Sequence, residues 1–307
     1  MEQSKMSQHL AKDFLTKKNI PLTENIFENQ NKPESIKLLK ASTFAYSEAK
    51  GWENTISFVL IFLSFAYPIS FVFIKDESVK LSLFGVSFCL TVFIQVFSIV
   101  FKTNTSKGAL IKEEFDTKVF GLPWKTTLTP IDKADISKLA ISYKGKEIID
   151  WYSPLISKEI PSNILIAVCQ RINTGWDIEL RISYRNILRM LLIVYSIALG
   201  IFNVVYNVDG KTLFGICFSI LSFYTHFITI IRGHSTVIDK RKAINKLLDN
   251  FIFNKETPTT QQLRDIQDEI YATRQEPAKV PNLFFNIFKK KLNREFDDFV
   301  TDINSRY

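Results

Sequence analysis

Four almost uncharged apolar runs, 56–74, 81–101, 187–206 and 212–231, interrupt a chain whose other segments mix apolar and charged positions. Each run is close to the twenty or so residues a helix needs to cross a hydrocarbon core of about 30 Å. Lipid offers the backbone no hydrogen-bond partner, so each predicts a helix. The runs form two hairpins. Lys75, Asp76, Glu77, Ser78, Val79 and Lys80 close the first, and 207–211 closes the second. The pattern divides the chain into 1–54, 55–101, 102–186, 187–231 and 232–307, the second and fourth segments being the membrane hairpins. The expected fold is a mainly α integral membrane protein: four transmembrane helices as two hairpins, plus a composite, mostly helical cytoplasmic domain.

The polar segments carry their own periodicity. Ile36, Leu39, Phe44 and Tyr46 predict a helix from about Pro33 into the first span, after an earlier helix that turns at Pro21. Val237, Ile244, Leu248 and Phe251 extend the fourth run as a helix, and Leu263, Ile266 and Ile270 mark another. Pro277 and Pro281 precede a last helix with Phe284, Phe288, Leu292, Phe296 and Phe299. Its Lys289, Lys290 and Lys291 suit a membrane interface. Glu295, Asp297 and Asp298 oppose an anionic surface and favour docking on the cytoplasmic domain instead. In the central region, Leu139 to Ile141 and Ile148 to Ile149 fit strand or helix. Beyond Pro161, a short helix is expected over 164–172, a break near Thr174 and Gly175, and a new helix from Trp176 into the third span.

Charge adds orientation. The net charge is +8, with Lys and Arg concentrated outside the hairpin turns: Lys37, Lys40 and Lys50 before the first span, Lys102 to Lys118 after the second, Arg171 to Arg189 before the third, Arg232 to Lys246 after the fourth. Positive flanks stay inside. Both termini and the central region are therefore expected in the cytoplasm, the turns outside, and lipid as a partner. Juxtamembrane cations explain the basic balance without nucleic acid. The first apolar run, some fifty residues in, reads as a self-inserting hairpin rather than a cleaved signal. Cys89, Cys169 and Cys217 form no disulfide or C-x-x-C pattern, and His9, His226 and His234 no zinc set, so neither metal nor cofactor is expected. Asn104, Thr105 and Ser106 match a glycosylation sequon on the wrong side for that chemistry.

Candidate chemistry is thin. Glu113, Glu114, Asp116, Asp150 and Asp177 are either an acid-base or metal cluster of a membrane-anchored enzyme, or surface charges and partners for Arg171, Arg181 and Arg185. No nucleophile, zinc or P-loop motif supports the first, so no catalytic residue is expected. Trp151, Tyr152, Gln170, Arg171, Asn173, Trp176, Arg181 and Arg185 have the faces and donor forks that stack on bases and pair with phosphates, though core anchoring uses the same residues. Within the spans, Ser87, Thr91, Gln95 and Ser98 share one face, and Gly215, Ser219, Ser222, His226 and Thr229 another. Close helix packing uses such stripes, as does a pore; Gln95, Ser98, Ser222 and His226 are the pore-lining candidates. A small transporter is the further alternative, for which Pro68 is the one candidate helix break.

A resemblance sharpens the reading. Tyr46-Ser47-Glu48-Ala49-Lys50, Glu113-Glu114-Phe115-Asp116 with Val119-Phe120-Gly121-Leu122-Pro123-Trp124, Asp150-Trp151-Tyr152-Ser153, Cys169-Gln170-Arg171 through Trp176-Asp177 with Leu180-Arg181 and Tyr184, and Leu263-Arg264-Asp265-Ile266-Gln267-Asp268-Glu269-Ile270-Tyr271 with Arg274 occur in this order around the two hairpins. The chain resembles the SMODS-associated four-transmembrane effector family. The resemblance implies a pore-forming effector of bacterial anti-phage systems of the CBASS type. In these a cGAS/DncV-like nucleotidyltransferase makes a cyclic oligonucleotide that switches on the effector, here expected as a homo-oligomer, and the host cell is arrested or killed. It assigns no ligand residues.

Overall fold

A computed structural model describes residues 26–307, with side chains at all of these except 95 and 97–101. The helix expected before Pro21 lies outside the described residues. All regular structure among the described residues is helical: α1 Ile26–Asn29, α2 Pro33–Phe73, α3 Glu77–Phe120, α4 Lys133–Ser142, α5 Ser162–Val205, α6 Gly210–Ser219, α7 Leu221–Phe253, α8 Thr260–Arg274 and α9 Asn282–Arg306. Leu139 to Ile141 fall in α4, while Ile148 and Ile149 lie in irregular chain.

Length is the organising fact. The helices α2, α3 and α5 have 41, 44 and 44 residues, and at about 1.5 Å per residue each is some 60 Å long, twice a hydrocarbon core. Each therefore has an apolar half and a half that runs on into the polar domain. Three helices are long and apolar enough to cross a membrane, and α6 with α7 makes a fourth when that bent pair is taken as one span. The apolar halves show an inverted surface: Phe58 is 73% and Val204 76% exposed, with Phe62, Ile193, Ile197, Ile201 and Phe214 exposed beside them. Such a belt is stable facing acyl chains and unstable in water. It is the surface a membrane protein presents.

Local chemistry sets the ends. Asp76 caps α3 by accepting from the Ser78 and Val79 N–H groups, and Gly121, at φ 66°, closes it in the left-handed conformation that glycine adopts without strain. Thr259 and Gln262 form a capping box on α8. One expectation needs correction. Thr174 and Gly175 do not interrupt α5: the Thr174 hydroxyl returns to the Gln170 and Arg171 carbonyls, 3.0 and 3.1 Å away, and α5 is continuous. Pro68, the candidate break of the transporter alternative, does not interrupt α2 either. Proline lacks the N–H that would serve the Ser64 carbonyl, and the Tyr195 hydroxyl donates to that oxygen instead, at 2.6 Å. The real break is in the fourth apolar run. There α6 and α7 meet at Ile220 with a 42° bend, and the Ser87 hydroxyl donates to the Ser219 carbonyl at 2.9 Å. Side chains that engage the backbone ladder are a recognised cause of such kinks.

Two hydrophobic cores follow. One fills the polar domain with Leu38 and Leu39 of α2, Phe115 and Phe120 of α3, Ile164 to Cys169 of α5, Leu248 of α7, Leu263 of α8 and Ile303 of α9. The other fills the membrane bundle with Leu60, Phe71, Leu188, Ile216 and Phe223, and reaches up to Tyr184, Val280 and Leu292. The long helices thread both.

Candidate functional site

The helices α5 and α7 lie side by side along most of their length, and α9 packs across α5. Where they leave the apolar belt the three enclose a groove of about 520 Å³. Trp176 of α5 with Phe296 and Phe299 of α9 supply its aromatic wall, and Arg171, Lys242 and Lys246 its cations; Glu179, Asp249 and Glu295 also border it. Asp249 engages Arg171 at 2.7 Å, and Glu295 engages Lys291 at 3.5 Å. Lys242 and Lys246, one turn apart on α7 and exposed, are left for a ligand.

Of the expected ligand residues, the structure brings Arg171 and Trp176 to the groove. The others go elsewhere. Gln170 is fully buried and donates to the Leu263 carbonyl and Gln267 at 3.0 and 3.1 Å. Tyr152 is buried, bonded through its backbone to Gln30 and through its hydroxyl to Asp116 at 2.8 Å, with Asn173 3.5 Å from that hydroxyl. Trp151 covers the Lys112 ammonium, 3.8 Å from its ring centroid. Arg181 is buried against Asp177, His234 and the Ala278 carbonyl, while Arg185 donates to Ser235 at 3.3 Å. A sequence reading that took Lys242 and Lys246 only as flanking charges missed the groove. Their spacing of four, continued by Asp249 and Asn250 on the same face, was the available signal.

Of the carboxylates, Asp177 pairs with Arg181 as one of the two expected readings had it, while Glu113 and Asp116 resolve differently. Glu113 and Asp116 of α3 are fully buried, and their partners are Arg264 and Arg274 of α8 rather than Arg171, Arg181 or Arg185. Arg274 meets Asp116 at 2.6 Å and lies 3.8 Å from Glu113, which also takes Arg264 and, at 2.8 Å, the Gln267 amide. Burial pushes the Glu113 carboxyl up. For Asp116 burial acts the same way, but the Arg274 and Lys112 charges outweigh it and hold the group below its ordinary value. Burial pulls the Lys112 ammonium down to about 7, although Asp116 lies 3.5 Å away, because Arg274 already balances that carboxylate. Glu114 pairs with Lys118 at 2.8 Å, and Asp150 accepts from Asn31 at 2.7 Å.

A second charged cluster sits lower, at the foot of the spans. Asp177 of α5 bridges Arg181 on its own helix and Arg241 of α7, the latter at 2.6 Å. Arg241 continues to Thr273 at 3.0 Å, so α5, α7 and α8 are tied together here. Lys279 is pulled down to about 7 by burial while donating to the Arg274 and Glu276 carbonyls.

Of the pore-lining candidates, Ser222 and His226 border a smaller cavity of about 240 Å³ inside the single chain, with Thr91, Thr225 and Thr229. His226 shares a 2.9 Å hydrogen bond with Ser57, and the Ser222 and Thr91 hydroxyls bond to each other. The side chains of Gln95 and Ser98 lie outside the described residues. Among the described residues no group of three or more His, Cys, Asp or Glu could hold a metal ion.

Against known families, the SMODS-associating 4TM effector domain matches residues 24–303. The chain belongs to that family. Four of the five segments that carry the resemblance meet in one place: Glu113 and Asp116, Tyr152, Gln170 and the α8 residues Arg264, Gln267 and Arg274 form the buried network. The chain is also 28% identical over 269 residues, 80% of its length and 86% of the relative's, to a Bacillus cereus (strain VD146) protein named "Probable CBASS effector molecule". No solved structure matches this effector.

Proposed function

We propose that the chain is the membrane-disrupting effector of a bacterial anti-phage system of the CBASS type. A cyclic oligonucleotide, made by a partner cGAS/DncV-like nucleotidyltransferase, seats in the groove between α5, α7 and α9. It promotes a homo-oligomer that permeabilises the inner membrane and aborts the infection. The termini and the polar domain face the cytoplasm, where that ligand is made. The observation that carries this reading is continuity: α5 runs unbroken from the groove into the third apolar span, and α7 leads back into the bent fourth. A ligand that moves these walls acts on the spans through rigid helix.

The chemistry fits a nucleotide. Phosphates meet Lys242 and Lys246, and displace Asp249 from the Arg171 fork. Bases find Trp176, Phe296 and Phe299 as stacking faces, each worth about 1–3 kcal/mol. Driving a closed population almost wholly open takes a binding preference of roughly 5.5 kcal/mol, which a few such contacts supply. The test is dye leakage from liposomes holding the full chain, with a panel of cyclic di- and trinucleotides. Leakage with one nucleotide, lost in Lys242→Glu/Lys246→Glu, is the expected result. Failure of every nucleotide to bind the folded protein or to cause leakage ends the gating proposal.

A second reading, a small transporter, draws on the break at Ile220 and the polar cavity beside it, since transporters build sites on interrupted helices. Saturable uptake of one solute by liposomes that retain the dye would select it.

A further inference from the structure

The direction and exposed face of α9 point to a second membrane contact. Its N-terminal end lies at the bundle: Phe284 is 4.8 Å from Tyr184, one turn before the third span, and Phe285 is 5.0 Å from Trp176. The C-terminal end lies in the polar domain, where Val300 and Ile303 are buried and Tyr307 donates to the Ile252 carbonyl at 2.8 Å. The helix thus rises from the apolar belt into the polar end of the molecule.

Its outer face changes along that path. Leu283 and Ile287, one turn apart, are 68% and 62% exposed beside packed Phe284 and Phe288. Lys290, Lys291 and Arg294 follow on the same face, all exposed; among the described residues neither Lys290 nor Arg294 is in an ion pair, and Lys291 is near Glu295. Asp297 and Asp298 come last. At about 1.5 Å per residue, Lys291 stands roughly 12 Å and Asp298 roughly 22 Å along the axis from Leu283. Apolar, then cationic, then anionic groups at increasing height match the layers of an anionic bilayer and the water above it. The acidic residues that opposed membrane contact in the sequence therefore sit above the headgroups. Docking and lipid contact use different faces, because Leu292, Phe296 and Phe299 turn inward to the groove.

We propose that the first turns of α9 lie in the lipid interface, Leu283 and Ile287 at the acyl boundary and Lys290, Lys291 and Arg294 on anionic headgroups. One wall of the groove is then held by lipid. The proposal rests on the membrane reading of the apolar spans, and the experiment separates the two. On a Cys89→Ser/Cys169→Ala/Cys217→Ser background in liposomes with and without phosphatidylglycerol, a fluorescent label is placed by Ile197→Cys, Leu283→Cys or Asp298→Cys and quenched by spin-labelled lipid. Quenching at 197 and 283 but not at 298 is expected. Quenching at 197 alone overturns the α9 contact, including the case where Leu283→Cys left unlabelled forms a disulfide with a second copy on oxidation; none at 197 overturns the membrane reading and the proposal with it. In Lys290→Gln/Lys291→Gln/Arg294→Gln, the preference of the 283 signal for anionic vesicles should fall about fivefold per cation removed. An unchanged preference removes the headgroup assignment.

Discussion

The two halves of α3 bury polar groups in opposite ways. In the apolar half Ser87 and Thr91 are neutral hydroxyls that reach the Ser219 carbonyl and Ser222. In the polar half Lys112, Glu113 and Asp116 are ionisable, almost wholly buried, and the two carboxylates are matched by Arg264 and Arg274. Lipid makes isolated charge expensive, so the bundle is joined by hydroxyls and close packing. Next to water, a charged residue reaches the core only when a counter-charge arrives with it. Loss of one polar contact should therefore cost the bundle less than loss of an arginine costs the charge cluster, which joins two segments far apart in sequence.

The sharpest break is Arg274→Ala, which takes from Asp116 its closest counter-charge and leaves Glu113 with Arg264 alone. A loss of about 3–5 kcal/mol is expected, read as a collapse of folded yield and thermal midpoint in detergent. Asp116→Asn combined with Arg274→Gln should recover part of that loss, and strictly additive effects would contradict the cluster.

Next comes packing in the bundle. A Cβ at Gly215 would stand 2.6 Å from the Phe71 ring, whereas one at Gly200 meets nothing within 4 Å. Gly215→Val should destabilise by about 1–3 kcal/mol through overpacking, with Gly200→Ala near neutral in the same thermal assay. Equal effects would mean that α2 and α6 are not in contact.

The charge cluster should also be visible in pH dependence. Lys112 is held near 7 against an ordinary 10.5. Between these values the unfolded chain carries a proton that the folded chain has shed, so stability rises with pH, by at most about 1.4 kcal/mol per unit for one group. Lys279 shares the sign. From pH 7 to 9 the thermal midpoint should climb, and Lys112→Met should flatten the climb without abolishing it. An unchanged slope would show that Lys112 stays protonated.

The smallest effect belongs to Ser87→Ala. Hydrogen bonds between membrane helices average about 0.6 kcal/mol, and a loss of several times that would show that the Ser87 bond holds the bend at Ile220 in place.

The sequence exposed some of this better than the rest. The apolar runs, the helical spacing of Val237 to Phe251 and the prolines before α9 were legible because they are local patterns. The continuity of α5 through Thr174 and Gly175 was not, since it depends on Thr174 returning its hydroxyl to the preceding turn and reaching Asn245 of α7. The bend at Ile220 carries no proline or glycine of its own, while Pro68, which does look like a break, is bridged by Tyr195.

Sequence alone determined that the chain has two apolar hairpins with polar, helix-forming segments around them, because burial in lipid and helical periodicity are written in consecutive residues. Tertiary structure decided which charges meet. Glu113 and Arg264 are separated by 151 residues, and nothing local tells a buried ion pair from a solvated one. It also decided that Arg171 and Trp176 face a groove with Lys242 and Lys246 while Gln170, Tyr152 and Arg181 do not, since that depends on how two long helices are rotated against each other.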